Sequence, residues 1–279
     1  MKFSSQIKFY RKLRYRKGYG VHSPFIYNLI TKVIEEKTPY YFFEDIENFR
    51  KELLKAENPV NTITEQETQP KNYGALLFRL VNFFKCRKIL QIGSSTGLMS
   101  LYLAMPLRKN CECYALEERI GLLKPVLIFA EKYILTNLHC LEGAYSNNLN
   151  RLNPEIASFD LIFINAKGDS EKTLEALDIT NKYIYSETII VIDNIRRNKS
   201  MKKLWQEIKS RSDVMLTIDL LSLGLVFFNT KLHKQHLKNY FDDGKKQNLY
   251  EKRRHRFNFL SWRKKGAQSQ SPNRRLRND

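Results

Sequence analysis

A short stretch of small residues, residues 93–97 (Gly-Ser-Ser-Thr-Gly), has the residue types and spacing of a ligand-binding turn. It follows the mainly apolar run 89–92 and precedes a stretch in which apolar residues recur at helical spacing from Leu98. A buried strand that enters such a turn and then a helix lets backbone N–H groups approach a polar or anionic ligand. The G-x-x-x-G spacing differs from the G-x-G-x-x-G of a dinucleotide site, which disfavours a dehydrogenase. Because tight packing at a strand–helix turn also selects glycine, the turn alone leaves a purely structural interpretation open.

Polar or glycine-containing segments follow four later apolar runs: Glu117, residues 142–145 (Glu-Gly-Ala-Tyr), Asn165, and Asp193 with Asn194. Glu117 comes about 20 residues after the turn, a spacing at which a carboxylate accepts hydrogen bonds from ribose hydroxyls. Gly143 and Ala144 are small enough to let a flat base lie against the backbone. In a doubly wound sheet the carboxyl ends of parallel strands share one edge, where ligands bind at a reversal of strand order. The pattern therefore predicts a nucleoside site at that edge.

Alternating apolar runs and helical stretches between residues 72 and 230 indicate the elements that must position these residues. Strands are predicted at 88–92, 112–116, 138–141, 159–164, 188–192, 214–220 and 223–228. Because the strands are apolar nearly throughout and are separated by predicted helices, the pattern predicts an α/β fold with a mostly parallel sheet covered on both faces. Too few residues separate the last two strands for a crossover helix, so we expect an antiparallel hairpin at the sheet edge.

Charge divides the chain into three zones. Residues 1–20 contain 7 Lys/Arg and no acidic residue, and residues 231–279 contain 15 Lys/Arg and 4 acidic residues, in a chain of net charge +19. We interpret 1–71 as an N-terminal helical cap with a polar connection, 72–230 as the ligand-binding domain, and 231–279 as a basic, largely mobile tail. The basic ends favour contact with a polyanion or with an anionic membrane surface, or non-specific solvation, and no RNA-binding signature decides among these.

Composition excludes several classes of protein. With 279 residues, 42% of them hydrophobic, the chain is too apolar for disorder throughout and long enough to bury a sizeable core. It has no run of about 18 apolar residues and begins without the apolar stretch of a signal peptide, so we expect a cytoplasmic protein. Its 4 cysteines lack metal-ligand spacing and are expected to be reduced, buried thiols.

At these residues the sequence resembles the class I S-adenosylmethionine-dependent methyltransferases. It is most similar to the catechol and caffeoyl-coenzyme A O-methyltransferase-like group, and within that group to bacterial, Bacteroidetes-type members. The resemblance extends from residue 71 to about residue 240 and includes residues 73–81 (YGALLFRLV) and 224–228 (GLVFF), while residues 20–25 (GVHSPF) resemble the lead-in of the bacterial members. It implies a Rossmann-like, doubly wound sheet of seven strands with an antiparallel C-terminal hairpin strand, N-terminal helices, and S-adenosylmethionine as cofactor.

The resemblance also implies roles for individual residues. The residues that it places at the cofactor are Gly93, Ser94, Ser95, Gly97, Glu117, Gly143, Ala144 and Asn165. The glycine turn is expected to border the methionine part, Glu117 to hold the ribose, and Gly143 with Ala144 to flank the adenine. The positions at which metal-dependent members place Asp, Asp and Asn as magnesium ligands are Asn165, Asp193 and Asn194.

Three positions depart from the family pattern. Gln91 stands where an acidic residue near the cofactor's ammonium group is common, and Asn165 replaces an aspartate. Asp193 is then the one carboxylate among three expected ligands, which disfavours Mg²⁺ because hard cations bind chiefly through charged oxygens. Lys167 lies two residues past Asn165, whereas those enzymes have a catalytic lysine three residues past that ligand.

Methyl transfer requires few protein groups, because the methyl group of the cofactor is already activated. Asp193 is predicted to act as a base or to orient one, and Lys167 to stabilise a developing oxyanion. A helix or loop cap at Asp193 and an exposed loop charge at Lys167 are the alternative interpretations. His22 is a further candidate for the acceptor pocket, and a turn or packing role is its alternative interpretation. The helical spacing around Trp205 indicates a residue of the hydrophobic core.

The sequence thus predicts an S-adenosylmethionine-dependent methyltransferase that methylates an oxygen of a small molecule. Two alternatives stay open. One is a catalytically degenerate, nucleoside-binding module that docks on an anionic partner, and the other is an RNA methyltransferase. The sequence carries no signal for the oligomeric state.

Overall fold

The computed structural model describes residues 22–55, 71–106, 111–152, 156–239 and 241, and its centre is an eight-stranded sheet. The strands in chain order are β1 (Lys88–Ile92), β2 (Glu112–Glu117), β3 (Leu138–Glu142), β4 (Leu161–Ile164), β5 (Ile189–Asp193), β6 (Leu216–Asp219), β7 (Leu223–Phe227) and β8 (Gln235–Lys238). Their order in space is β3-β2-β1-β4-β5-β7-β6-β8. Among these strands only β7 runs antiparallel to its neighbours. The predicted mixed α/β sheet is confirmed.

The hairpin of β6 and β7 is present, but it does not form the edge of the sheet. Strand β7 lies between β5 and β6, and β8 pairs in parallel with the outer side of β6. The main-chain N–H of Asn239 donates to the carbonyl of Asp219 (2.9 Å), and Phe241 is buried. The fold thus extends beyond the boundary predicted at residue 230. Strand β8 has a weak sequence signal because its alternate side chains are exposed and polar.

Eight helices flank the sheet within the described residues. They are α1 (Pro24–Leu29), α2 (Phe42–Lys55), α3 (Lys71–Phe84), α4 (Leu98–Ala104), α5 (Lys124–Lys132), α6 (Tyr145–Asn150), α7 (Ser170–Thr180) and α8 (Lys199–Ser210). Helix α1 begins at Ser23-Pro24, as predicted, with the Ser23 hydroxyl accepting from the N–H of Ile26. The predictions for residues 1–20, for the polar connection before α3 and for the chain beyond 241 lie outside the described residues.

Two apolar cores lie on the two faces of the sheet. In β5, Ile189 and Val191 belong to the core on the side of α1 to α5, whereas Ile190 and Ile192 belong to the core on the side of α6 to α8. Strands buried on both faces must be apolar at consecutive positions, which explains why their sequences read as continuous runs. Trp205, predicted as core, is buried and packs against Gly224.

Helix α3 connects the N-terminal helices to the sheet. Its buried Arg79 donates from Nε to the carbonyl of Val33, at 2.8 Å, in the π-helical turn Ile30–Ile34 that continues α1. Burial lowers the pKa of this guanidinium, and the Glu36 carboxylate opposes that effect. The first turn of α3 lies at the carboxyl edge of the sheet, because the hydroxyl of Tyr73 reaches the end of β5.

The cysteines test the prediction of reduced, buried thiols, and the helix lengths test the prediction that no segment spans a membrane. Cys86, Cys111 and Cys113 are buried, Cys140 is partly buried, and all of them are free thiols, as expected. Burial raises the pKa of Cys140 to about 12, so this thiol is neutral near pH 7. No helix among the described residues is long and apolar enough to cross a membrane.

Candidate active site

The order of the strands reverses between β1 and β4, and the candidate site begins at this reversal. Gly93 follows β1 and Asn165 follows β4, with the N–H of Asn165 donating to the carbonyl of Ile92 at 2.9 Å. Gly93 has a φ of +79°, and a Cβ at this position would overlap the main-chain carbonyl oxygen of Asn165. Glycine is therefore required here by both the conformation and the close approach of two strand ends.

Hydrogen bonds tie the glycine turn to the end of β2. The N–H groups of Gly93 and Ser94 both donate to the carbonyl of Leu116, at 3.0 Å each. Gly97 has a φ of +78° and precedes α4, and a side chain there would overlap Val126 of α5. Ser95 lies in the left-handed region at φ +55°, a conformation that non-glycine residues adopt rarely. The turn is thus a constrained segment whose N–H groups at Gly93, Ser94 and Ser95 donate to the end of β2.

Glu117 is the charged group of this part of the site. Its side chain is 3% exposed, and its Oε2 accepts the N–H of Ser95 at 2.6 Å. Its Oε1 accepts from Nε of Arg119 at 2.7 Å. Buried charges require such partners. Sequence reasoning selected Glu117 by its spacing but did not select Arg119, whose role depends on a side-chain orientation that spacing does not determine.

Gly143 completes the row of strand ends. Its N–H donates to the carbonyl of Glu117 at 2.9 Å, so the ends of β2 and β3 are joined. At φ +107° its Cα faces open space, since a Cβ there would have no heavy atom within 4 Å. Ala144 is exposed and precedes α6. An open, side-chain-free surface of this kind suits a flat ring.

Tyr145 lies beside the glycine turn, although the sequence suggested no role for it. An ideal Cβ on Gly93 would lie 3.7 Å from the Tyr145 hydroxyl oxygen. Burial, and to a lesser extent the Glu117 carboxylate, raises the pKa of this phenol. The hydroxyl therefore stays protonated and available as a donor at neutral pH.

Gln91 shows an unused hydrogen-bond donor next to the turn. The side chain is fully buried, and its Oε1 accepts the hydroxyl of Ser100 at 2.7 Å. No described residue accepts a hydrogen bond from its Nε2. An unsatisfied buried donor costs about 1–3 kcal/mol, so this amide fits a ligand that brings an acceptor atom to it.

Asp193 lies on the other side of the reversal, at the end of β5. It is 1% exposed, and its Oδ1 accepts the hydroxyl proton of Tyr73 at 2.6 Å. Its Oδ2 accepts from Nδ2 of Asn194 at 2.7 Å. Tyr73 is fully buried, and sequence reasoning assigned it no role. A hydrogen bond between residues 120 positions apart has no local signature in sequence.

Asn165 and Lys167 line the loop after β4. Oδ1 of Asn165 accepts from the N–H of Lys167 at 3.4 Å, a long hydrogen bond. Lys167 has a φ of +55° and, with residues 168–171 and Arg197, lines a surface cleft of about 410 Å³. The structure thus places Lys167 two residues from Asn165 on an open loop, where its ammonium group can approach a ligand.

The structure brings most of the predicted site residues together and separates one candidate from them. Phe25 packs against Phe227 with ring centroids 6.0 Å apart, and Phe227 pairs with Ile189, the first residue of β5. His22, three residues before Phe25 and exposed, therefore lies near the opposite edge of the sheet from Asp193. The hypothesis that His22 reaches the acceptor pocket is wrong.

The three predicted metal ligands do not form a site that suits magnesium. Asp193 supplies the one carboxylate among Asn165, Asp193 and Asn194, and both of its oxygens accept hydrogen bonds. No group of three or more His, Cys, Asp or Glu residues suited to a metal ion occurs in the part of the chain that the structure describes. Mg²⁺ binds chiefly through charged oxygens in octahedral geometry, and this set offers a single carboxylate whose two oxygens each already accept a hydrogen bond.

Comparison with known proteins agrees with this geometry. Residues 90–195 match the family model described as a methyltransferase domain. The chain is 28% identical over 117 residues to a protein of Sulfolobus acidocaldarius named as a probable cobalt-precorrin-6B C(15)-methyltransferase (decarboxylating). That match covers 42% of this chain and 58% of the relative, so the chain spans little more than half the relative's length.

Solved structures share the fold at low sequence identity. The O-methyltransferase TomG of Streptomyces achromogenes, solved with S-adenosylmethionine, has a TM-score of 0.55 and 18% identity, over 73% of this chain and 95% of TomG. An O-methyltransferase of Bacillus cereus, solved with S-adenosylhomocysteine, has a TM-score of 0.52 and 19% identity, over 72% of this chain and 96% of that protein. At these identities the likeness establishes the fold.

Proposed function

We propose that this chain, a class I methyltransferase by its fold and by its central domain, transfers a methyl group from S-adenosylmethionine to an oxygen of a small molecule. The match of residues 90–195 to a methyltransferase domain supports the predicted resemblance to methyltransferases, while the O-methyltransferase group and its Bacteroidetes-type subdivision stay predictions. The proposal rests on one arrangement above all, the hydrogen-bonded row of Ser95, Glu117 and Gly143 at the point where strand order reverses.

The row of strand ends has the groups that an adenosine-bearing cofactor needs. A carboxylate has about four lone-pair sites, and the N–H of Ser95 with the N–H and Nε of Arg119 take three of those on Glu117, so a ribose hydroxyl can donate to the remaining one. The open surface at Gly143 accommodates the adenine. The donor at Nε2 of Gln91 suits an acceptor atom in the methionine part of the cofactor.

The cofactor supplies a methyl group activated by a positively charged sulfur. The residues of this chain then have to align the acceptor oxygen and remove its proton. Asp193 is the group that we assign to the proton, since it is buried and held on both oxygens at the edge of the site. The Lys167 ammonium, in the cleft after β4, stabilises negative charge on the acceptor oxygen.

The acceptor class rests on the fold neighbours and on the size of the exposed cleft. TomG is described as being involved in tomaymycin synthesis. Contact of the basic ends with a polyanion or an anionic membrane stays a prediction, because residues 1–21 and 242–279 lie outside the described part of the chain. The cytoplasmic location also stays a prediction.

A non-catalytic, nucleoside-binding descendant is the second candidate function. Gln91 in place of an acidic residue and Asn165 in place of an aspartate favour it, because each removes a charge from the site. On this alternative, the cofactor site of Glu117 and Gly143 is retained while the acceptor side no longer supports transfer. RNA methylation depends on the basic ends and stays a prediction.

Calorimetry of the full chain with S-adenosylhomocysteine, followed by incubation of a cell extract with methyl-labelled cofactor, tests the proposal. We expect saturable binding, and label in a small molecule that mass spectrometry detects with the wild type and not with Asp193→Asn. Binding without label in any metabolite would favour the non-catalytic candidate. Label in RNA alone would favour RNA methylation, and no binding at millimolar ligand by a folded chain would reject all of these functions.

A further inference from the structure

The carboxylate of Asp193 is held by protein donors on both sides. We propose that methyl transfer by this chain needs no divalent cation, and that Tyr73 is the positioning residue that orients Asp193 in its place. This inference rests on the proposed function. Tyr73 itself lies before the segment of residues 90–195 that the family model matches.

The donor set argues against a cation at this carboxylate. Oδ1 of Asp193 accepts from the Tyr73 hydroxyl at 2.6 Å, and Oδ2 accepts from the Asn194 amide at 2.7 Å. Both donors present hydrogens to the carboxylate, so a cation would have to compete with them for its lone pairs. The remaining expected ligand, Asn165, is neutral, and hard cations bind such amide oxygens weakly without further carboxylates.

Tyr73 is held rigidly enough to orient the carboxylate. It is fully buried in the first turn of α3, and its ring lies 6.3 Å from that of Phe163 in the adjacent strand β4. The next residue, Gly74, packs so closely against the ring of Tyr102 that no side chain fits there. A phenol fixed by packing donates to a carboxylate without a large loss of rotamer entropy.

The step that this arrangement supports is balanced without a metal. The acceptor hydroxyl loses its proton to the Asp193 carboxylate as its oxygen forms a bond to the methyl carbon. The bond between that carbon and sulfur breaks, and its electron pair stays on sulfur, which becomes a neutral thioether. The hydrogen bonds from Tyr73 and Asn194 keep the carboxylate oriented toward the acceptor throughout.

The first test measures metal binding directly. The full chain is titrated with Mn²⁺, a paramagnetic substitute for Mg²⁺, with and without S-adenosylhomocysteine, and free Mn²⁺ is followed by electron paramagnetic resonance. We expect no site of submillimolar affinity in the wild type and the same titration for Asp193→Asn. A stoichiometric site that Asp193→Asn abolishes would overturn the inference, while normal S-adenosylhomocysteine binding in the same samples would leave the proposed function intact.

The second test separates positioning from folding through a matched pair of variants. Tyr73→Phe removes the hydrogen bond to Asp193, and Tyr102→Phe removes a similar one, from another fully buried phenol to Glu47 at 2.9 Å. With the labelled cofactor and the cell extract as acceptor source, we expect turnover to fall about tenfold or more in Tyr73→Phe only, with unchanged affinity for S-adenosylhomocysteine. EDTA is expected to leave wild-type turnover unchanged.

Two results would contradict the role of Tyr73. One is equal turnover in Tyr73→Phe and Tyr102→Phe, and the other is loss of turnover on EDTA treatment that Mg²⁺ restores. If Tyr73→Phe does not fold, the wild type still decides the question through the NMR signal of the Tyr73 hydroxyl proton. A buried, hydrogen-bonded hydroxyl exchanges slowly, and we expect its resonance to persist unchanged in millimolar MgCl₂, whereas a saturable shift would overturn the inference.

Discussion

The site has two halves that are built in different ways. The cofactor half consists of the turn at residues 93–97, Glu117 and Gly143, and it is held by main-chain hydrogen bonds between the ends of β1, β2 and β3. The acceptor half consists of Asn165, Lys167, Asp193, Asn194 and Tyr73. It is held mainly by side-chain hydrogen bonds, one of which joins segments 120 residues apart.

This difference explains why the two halves respond differently to changes in sequence. Main-chain donors persist through most substitutions, so the cofactor half depends chiefly on its glycines and on one carboxylate. Each side-chain contact of the acceptor half disappears with a single substitution. Asn165, which stands where the enzymes that the sequence resembles have an aspartate, is a change of this kind in the acceptor half.

We expect the largest effect from Gly93→Ala, because Gly93 lies where the cofactor half meets the acceptor half. The added Cβ would overlap the carbonyl oxygen of Asn165, in a backbone conformation that costs an L-residue about 1–2 kcal/mol. We expect affinity for S-adenosylhomocysteine, measured by calorimetry, to fall by on the order of 100-fold or more.

Gly143→Ala is the matched control for that substitution. It also has a positive φ, yet its Cβ would meet no heavy atom within 4 Å. We expect backbone strain of about 1–2 kcal/mol, seen as a lower melting temperature, and a smaller loss of affinity than in Gly93→Ala. Equal effects of the two substitutions would show that steric overlap at the strand reversal is unimportant.

We expect the second largest effect from Glu117→Ala, which tests the cofactor half. Loss of a buried carboxylate that accepts ribose hydroxyls removes charge-assisted hydrogen bonds of about 1.5–3 kcal/mol, so the dissociation constant for S-adenosylhomocysteine should rise roughly 10–100-fold. Glu118→Ala is the control, because the neighbouring Glu118 side chain is 41% exposed and pairs with Lys172. If both variants bind equally well, Glu117 does not hold the ribose.

The smallest effect is expected from Lys167→Gln, which belongs to the acceptor half alone. Removal of one ammonium near the acceptor oxygen should lower turnover of the labelled cofactor by about tenfold and leave cofactor affinity unchanged. Lys172→Gln, a substitution at an exposed lysine of α7, should change neither quantity. A loss of cofactor affinity in Lys167→Gln would contradict the division of the site into two halves.

The glycine turn and most of the sheet were predictable from sequence because both depend on local patterns. Strands buried on both faces are apolar at consecutive positions, so β1, β4 and β5 were found to within a few residues. The glycine turn follows directly from a strand, and the spacing to Glu117 reflects one helix and one further strand. These features lie within short stretches of chain.

Other features had no such signal. Strand β8 is half exposed and lies in a basic stretch, so its pattern resembled that of a polar tail. Arg119 and Tyr145 reach the site through the orientation of their side chains. His22 was a reasonable candidate by type, and only the packing of Phe25 on Phe227 placed it near the other edge of the sheet.

The sequence by itself determined the layered fold and the residues that stand at the carboxyl ends of its strands, because periodicity and glycine placement are properties of adjacent residues. Only the tertiary structure decided which side chains meet at the end of β5. Tyr73 meets Asp193 because α3 begins at the carboxyl end of β5, and that juxtaposition depends on how two distant segments pack against one core. Packing of this kind is decided by the whole chain, and no single stretch of it carries the information.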